Sequence, residues 1–551
     1  MTATVEPQDA ARPQDHFWAS DRLGGTPRIE MHYGRRMRCF PERPPSLAAM
    51  LAAQVARDPA RAAIAEGELT LSYGDLNGLA ARLAAGLGAR GIKAGDRVAL
   101  LLGNCWEFLA LLFACTRIGA IVVPIGTRQR MAELAFLLDD CGARMLVFEA
   151  AYADAVPPPA MLAAPPLLVA TRGDVAGATP FDALMTTDAT EAAATPDEEE
   201  ATAVLLYTSG TTGRPKGACL THLGLVHSAL TFARCFALGD ADRGLVAVPL
   251  AHVTGLVGVA LTTLASGGCV VLMHAPYKTD AFLALMAAAR VSFTILVPAI
   301  YTLCAMHPDL ARHDLSAWRV GGFGGAPMPV ATIARMAEAL PAVQLLNAYG
   351  ATETTSPTTI MPRACWRDHM DSVGQVVPCG EVRVLDEGGQ PVPPGTAGEL
   401  WIAGPMVVPG YWNRPDATRA EFADGFWRSG DIGSMDADGF VRLFDRRKDM
   451  INRAGYKIFS AEVEGVLSAL SGVQECAIVG RPDPVLGERV HAFVVPVPGS
   501  TLDGDAVRAH CGTLLADYKV PETVTIDAAP LPRNANGKVL KAVLRDRLAK
   551  A

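Results

Sequence analysis

The sequence lacks a long apolar run. No stretch of about 18 or more residues is continuously hydrophobic, so no membrane-crossing helix is predicted. This holds although half the residues are hydrophobic and mean hydropathy is +0.22, a value carried largely by scattered Ala. A basic excess is also missing: 57 acidic residues stand against 49 basic ones, a net charge of −8. That sign excludes general attraction to nucleic acid or an anionic membrane as the default and leaves room for a local basic cleft. The 12 cysteines are scattered without a CxxC pair, which argues against a zinc site or a disulfide framework and for reduced core thiols. The opening stretch MTATVEPQDAARPQDHFW carries early acidic residues and no apolar segment, so no secretory leader is expected. The expectation is a cytoplasmic protein without an integral membrane segment. Its low charged fraction, 19%, beside 50% hydrophobic residues excludes a disordered chain as a whole.

At about 150 residues per domain, 551 residues suggest three or four compact units. From about Ser46 the pattern alternates. Leu76, Leu79, Leu83 and Leu87 share one helical face, Val98–Leu102 is an apolar run of strand length, and Trp106–Arg117 reads as a helix. Ala120–Pro124 and Met145–Phe148 are further strand candidates around a helix through Leu134–Leu138. This order predicts an α/β fold with a largely parallel sheet. Between Val373 and Trp412 the pattern becomes rich in short strands and turns, with Val382–Leu385 and Glu399–Ile402 reading as antiparallel sheet. The charge cluster Asp445–Asp449 then interrupts apolar segments on both sides, and the remaining stretch of about 100 residues is enough for a small α+β domain.

After the predicted strand Ala203–Tyr207 comes Thr208-Ser209-Gly210-Thr211-Thr212-Gly213-Arg214-Pro215-Lys216-Gly217, and a helical pattern starts at Leu223. A strand, a glycine- and hydroxyl-rich loop, a lysine and a helix form a recipe for holding phosphates. Glycines let backbone N–H groups approach an anion, hydroxyls donate, and Lys216 supplies charge. The loop is not a Walker A motif, because Lys216 is followed by Gly rather than Ser or Thr.

This loop resembles the phosphate-loop signature of the adenylate-forming enzymes, and further family motifs follow in order. They are Tyr349-Gly350-Ala351-Thr352-Glu353, Gly398-Glu399-Leu400, Gly410-Tyr411-Trp412, Trp427-Arg428-Ser429-Gly430-Asp431, Asp445–Asp449 with Gly455-Tyr456-Lys457-Ile458, and Pro532–Lys538. The resemblance spans about Pro45 to Leu548. It implies an α/β fold with a large N-terminal multi-subdomain region, made of parallel-rich sheets and a small β-barrel-like part, and a small mobile C-terminal α+β domain. The implied organisation is an N-terminal extension over 1–45, an AMP-binding domain over 46–447 and a C-terminal domain over 448–551.

The implied reaction has two halves. A carboxylate attacks the α-phosphate of ATP to give acyl-AMP and pyrophosphate; a thiol, usually of coenzyme A, then displaces AMP. By resemblance, Thr208, Ser209, Gly210, Thr211, Thr212, Gly213 and Lys216 cradle the β- and γ-phosphates. Glu353 is the implied Mg²⁺ ligand and Thr352 reaches the α-phosphate. Tyr349 offers a face to the adenine, Asn347 an amide to its edge, and Ala348 and Gly350 flank them. Gly324, Gly325, Ala326 and Pro327 allow close approach of the base, while Asp431 accepts from the ribose hydroxyls with support from Arg446. Lys538 is the implied catalytic cation of adenylation and is expected to leave the site for the second step by rotation at the hinge Lys448. Rotation brings Gly455, Tyr456 and Lys457 to the coenzyme A channel. Two positions depart from the family pattern: Asp445 stands where Gly is usual, and Ser460 where Pro is usual.

The acid pocket implied by resemblance is walled by His252, Val253, Gly255, Leu256, Phe323 and Gly350. Acetate-specific members close it with Trp at the place of Gly350, so a deeper pocket is expected. No acidic residue of these walls is placed to hold an α-amino group. The expectation is an acyl-CoA ligase for a medium-length, branched or aromatic acid, using ATP, Mg²⁺ and coenzyme A, as a monomer or homodimer. The alternative is an acyl-AMP ligase that loads a carrier-protein thiol. A catalytically dead nucleotide-binding protein is disfavoured by the presence of Lys216, Glu353, Asp431 and Lys538.

Overall fold

The computed structural model describes residues 18, 25–185, 198–208, 215–326, 328–533 and 539–550. It divides into two compact units. One comprises Met1–Val382, Ile402–Trp427 and Asp436–Val441; the other comprises Arg383–Trp401, Arg428–Met435 and Arg442–Ala551.

The larger unit is built on two sheets. The first runs in the order Lys216–Thr221, Thr202–Thr208, Ile121–Pro124, Arg97–Leu101, Ala143–Glu149, Leu167–Thr171 and Thr179–Pro180. All its neighbours are parallel except the first pair. Short all-apolar strands such as Ile121–Pro124, buried at every position, are what a sheet covered on both faces requires. The covering helices are amphipathic or apolar throughout: Leu76, Leu79, Leu83 and Leu87 are all buried in the helix Tyr73–Ala89, and Phe108 to Thr116 are buried in Trp106–Arg117.

The second sheet has a parallel centre of Cys269–Leu272, Arg243–Val246, Phe293–Leu296, Val320–Gly324 and Gln344–Tyr349. Ala62–Glu66 extends it in parallel at one side, and Thr359–Ile360 and Gly374–Val376 turn antiparallel at the other. Residues Arg28–His32 and Arg35–Cys39, in the stretch read from sequence as an extension, pair as an antiparallel ribbon. Among the described residues no helix is long and apolar enough to cross a membrane.

The smaller unit holds a sheet in the order Tyr456–Ile458, Ile451–Arg453, Gly487–Pro496 and Val473–Asp483, with Thr523–Ile526 also pairing with Gly487–Pro496. Period-two alternation buries both faces. Ile478, Val490, Ala492 and Val494 pack with Val463 and Leu467 of the helix Ser460–Ser468 and with Val507 of Gly504–Leu514. Ala477, Val479, Phe493 and Val495 face the other way, onto Leu531 and onto Leu544 of the C-terminal helix Lys541–Lys550.

One local reading needs correction. The segment after the phosphate loop does not pass directly into a helix. Residues Lys216–Thr221 form a strand that returns antiparallel along Thr202–Thr208, with Thr208 opposite Lys216 and Thr202 opposite Thr221. The helix His222–Cys235 starts beside Thr202, at the far end of the hairpin, capped by the Thr221 hydroxyl. Six residues of strand at about 3.3 Å each therefore separate its N-terminus from Lys216, so its dipole does not serve the loop. The segment after His252 forms a π-helix, Thr254–Leu261.

Candidate active site

Thr208 and Lys216 lie side by side where the hairpin opens, and the Thr208 hydroxyl donates to the Lys216 carbonyl at 3.4 Å. Ser209, Gly210, Thr211, Thr212 and Gly213 lie outside the described residues, as do Pro327 and Lys538. The Lys216 ammonium pairs with Glu421 and sits 4.3 Å from the centroid of the Tyr411 ring. Tyr411 in turn places its phenol between Glu421 and Glu353, with Oη 2.9 Å from Oε1 of Glu353. A phenol carries one proton, so it can donate to only one of the two carboxylates at a time. Glu353 is 8% exposed, and burial raises its carboxyl above the ordinary value, with the neighbouring Glu421 adding to the rise. The Tyr411 phenol is pushed far up by burial and by Glu353.

Glu353 sits in the one-turn helix Thr352–Thr354, and its carbonyl accepts from Val408 at 2.9 Å. Thr352 beside it is half-buried. The strands Val320–Gly324 and Gln344–Tyr349 set Phe323 opposite Asn347 and Gly324 opposite Ala348. Asn347 donates its amide to the Ser372 carbonyl at 3.2 Å, and Tyr349 is half-buried at the strand end. Gly325 and Ala326 are exposed just beyond Gly324.

The expected wall residues differ among themselves. His252 and Val253 are half-buried, while Leu256 and Phe323 are buried. Burial lowers the His252 imidazole below its ordinary value, and the charge of Arg128 lowers it further. Gly255 is small for a packing reason: a Cβ there would lie 2.3 Å from the Pro249 carbonyl oxygen. At Gly350 a Cβ would meet the Cα atoms of Ser356 and Pro357 at 3.2 Å, so its own loop already fills the space beside it. The depth expected from a missing side chain at Gly350 is thus limited by Ser356 and Pro357.

In the smaller unit Asp431 is 6% exposed and pairs with Arg446 at 3.1 Å. Its N–H donates to the Ser429 hydroxyl, which donates onward to the Leu400 carbonyl. Lys448 is exposed by surface area, and the partial desolvation of its ammonium, with Arg446, Arg545 and Lys541 nearby, lowers it below the ordinary value. Gly455 turns the hairpin between Ile451–Arg453 and Tyr456–Ile458 at φ +88°. Tyr456 stacks on Tyr518 with centroids 4.6 Å apart, and Lys457 pairs with Glu387 at 2.6 Å.

Sequence reasoning missed Tyr411 as a bridge and Glu421 altogether. It also missed Arg128, which lines an open cleft of about 670 Å³ with Gln129, Arg130, Tyr152 and Asp154. Tyr411 lay inside a recognised motif, so a signal existed; Glu421 and Arg128 had none. Among the described residues one further donor group gathers, Glu30, His32 and Cys39. The Arg43 guanidinium already reaches both Glu30 oxygens, which makes this an ion-paired tie rather than a metal centre.

Parallel sheets that bring a lysine, a buried glutamate and glycine-bordered strand ends into one unit define a nucleotide-binding α/β protein. The chain belongs to the AMP-binding enzyme family of the adenylate-forming superfamily. That family's profile matches residues 51–412, and the profile of the AMP-binding enzyme C-terminal domain matches 462–538. The chain is 39% identical to a feruloyl-CoA synthase from Amycolatopsis sp over 491 residues, covering 89% of this chain and 96% of that protein. It is 35% identical to an indoleacetate–CoA ligase from Aromatoleum aromaticum, covering 90% and 96%. Among solved structures, ATP-bound MatB from Rhodopseudomonas palustris superposes with a TM-score of 0.81 at 32% identity, covering 91% and 98%. The protein is an AMP-forming acid–thiol ligase of the acyl-CoA synthetase type, and ATP and coenzyme A fit as its substrates.

Proposed function

We propose that this ligase activates an aromatic or a medium-length or branched carboxylic acid and transfers it to coenzyme A. The observation that carries the acid class is the wall itself. His252 and Val253 present a partly open, largely apolar face that continues into the buried Leu256. An acid gains about 0.8 kcal/mol per CH₂ buried on such a face. Feruloyl and indoleacetate, named for two of the relatives, are both aromatic acids, which supports the aromatic member of the set.

In the adenylation step an anionic nucleophile must approach a polyanion, so cations and donors must be in place beforehand. Lys216 and Thr208, with Ser209, Thr211 and Thr212, hold the β- and γ-phosphates. To do so Lys216 exchanges its Glu421 partner for phosphate oxygen. Tyr349 and Asn347 receive the adenine between strand ends, and Asp431 accepts from the ribose hydroxyls. Glu353 fits a Mg²⁺ ligand: burial penalises its charge, and among the described residues a phenol rather than a cation stands at hydrogen-bonding distance. Bound there, Mg²⁺ supplies positive charge against the phosphates. Lys538 screens the charge that develops between carboxylate and α-phosphate. The domains are 46–447 and 448–551, and rotation at Lys448 withdraws Lys538 and presents Gly455, Tyr456 and Lys457 to the pantetheine arm. Twelve cysteines, none of them in a disulfide, accord with a cytoplasmic enzyme, which we take as a monomer or homodimer.

A panel of acetate, hexanoate, isovalerate, benzoate, a hydroxycinnamate and phenylalanine, assayed for AMP release with and without coenzyme A, tests this reading. Benzoate and the hydroxycinnamate are expected to be used best, and only with coenzyme A. AMP release indifferent to coenzyme A would replace it with a carrier-protein acceptor. Preference for acetate or phenylalanine would overturn the pocket argument.

A further inference from the structure

Asp445 and Ser460 meet in space. Asp445 ends the strand Phe440–Arg446, and Ser460 opens the helix Ser460–Ser468. The Ser460 hydroxyl donates to Oδ2 of Asp445 at 2.7 Å, and the Ser460 backbone N–H donates to the same oxygen. The first N–H groups of a helix have no partner inside it, and a carboxylate there also suits the positive end of the helix dipole. A proline at 460 has no N–H to give, and a glycine at 445 has no carboxylate to receive one.

The pair continues into the C-terminal helix. The Lys541 ammonium donates to the Ser460 hydroxyl at 2.6 Å and pairs with Glu464 at 2.7 Å. Four residues on, the same helix face presents Arg545, which donates to the Lys448 carbonyl at 3.1 Å and to Asp449 at 2.6 Å. Leu544 is fully buried against the sheet and fixes that helix in place. One helix thus holds the chain on both sides of Lys448: through Ser460 to Asp445 before it, and directly at Lys448 and Asp449. The helix begins three residues after Lys538 in the sequence.

We propose that Asp445, Ser460 and Lys541 are positioning residues that clamp the hinge segment to the C-terminal helix and so set the balance between adenylation and thioester formation. This rests on the two-step reading above. Rotation at Lys448 moves residue 445 against residue 460, so the clamp favours one of the two arrangements over the other. The clamp touches neither acid nor nucleotide, and its effect falls on the ratio of the two half-reactions rather than on the affinity for either substrate.

The test uses the full-length chain with D445N, S460A and the double variant. Single-turnover rates are measured for pyrophosphate release from ATP and acid, and for thioester formation from supplied acyl-AMP and coenzyme A. D445N and S460A are expected to shift the ratio of these rates in the same direction by about fivefold or more, and the double variant by no more than the larger single, as residues of one network do. K541M is expected to follow them. A ratio within about twofold of wild type, with only the melting temperature lowered, would overturn the clamp, as would additive effects of the two substitutions. K538A separates the two readings. If it loses both half-reactions equally, the two-step account itself falls. If it loses adenylation alone while the clamp variants leave the ratio unmoved, only the clamp falls.

Discussion

Two buried carboxylates, one in each unit, sit in opposite electrostatic situations. Asp431 is 6% exposed and has the Arg446 guanidinium at 3.1 Å. Glu353 is 8% exposed and has a phenol, with a second carboxylate beyond it. A charge taken out of water needs a partner of opposite sign, or it takes up a proton. Asp431 has that partner in direct contact, whereas Glu353 feels Lys216 only as a nearby charge, and burial outweighs it and raises the carboxyl. On the proposed function, the difference separates a group suited to accept hydrogen bonds as a stable anion from a group whose charge a bound cation would complete.

Glu353→Gln is the strongest way to break this comparison. ATP–pyrophosphate exchange is expected to fall by about 10²-fold or more, as when a preorganised charge is removed from a transition state. The same substitution is expected to raise the melting temperature of the ligand-free protein at pH 7. The sign follows from linkage. The folded-state carboxyl titrates above its ordinary 4.5, so the native state holds the proton longer than the unfolded chain does. The stability tied to that proton is present at low pH and is lost as pH rises from 4.5 through the raised value. Gln never bears the charge, so the gap between variant and wild type closes toward pH 4.5, and Mg²⁺ with ATP narrows it at pH 7. A variant less stable than wild type at pH 7 would sink the cation-seeking account.

The sequence made the scaffold legible where burial imposes a pattern. Leu76, Leu79, Leu83 and Leu87 announced a helix, and Ile121–Pro124 announced a doubly covered strand. The family was legible because the loop Thr208–Gly217 and the later motifs occur together and in order. The strand Lys216–Thr221 was not, since six residues with apolar positions beside a helix can belong to either element until the partner strand is known. Glu421 was invisible for another reason. It meets Lys216 across 205 positions in sequence, and no local spacing encodes such a contact. The missing side chain of Gly350 was read as room for substrate, but only the fold reveals Ser356 and Pro357 beside it. Asp445 and Ser460 each looked like an isolated oddity, and only their shared hydrogen bonds make them a pair.

Asp431→Asn sharpens the comparison from the other side. The amide keeps the shape and loses the charge that Arg446 and two ribose hydroxyls would share. Hydrogen bonds to a charged group are worth about 1.5–3 kcal/mol, so KM for ATP is expected to rise about tenfold or more, with kcat changing less. The melting temperature is expected to fall at neutral pH, opposite in sign to Glu353→Gln, because a paired guanidinium loses its partner. A KM within about twofold of wild type would remove Asp431 from the ribose.

The smallest effect tests the link between Glu353 and the phosphate lysine. Glu421 holds Lys216 by an ion pair and takes the other side of the Tyr411 phenol. On the proposed function both roles work against ATP. The pair must be broken before Lys216 can turn to a phosphate, and the extra negative charge lies where a polyanion has to arrive. Glu421→Gln removes the charge and keeps a hydrogen-bond acceptor for Tyr411. The side chains are only partly buried, 17% and 36% exposed, so the pair contributes less than about 1 kcal/mol. KM for ATP is accordingly expected to fall about threefold with kcat nearly unchanged, and the gain should shrink at high salt, which already screens the pair. A rise in KM instead would mean that Glu421 aims Lys216 at the phosphates rather than competing with them. The missing charge would then weaken binding, and the ion pair would be part of the phosphate site rather than a contact that ATP displaces.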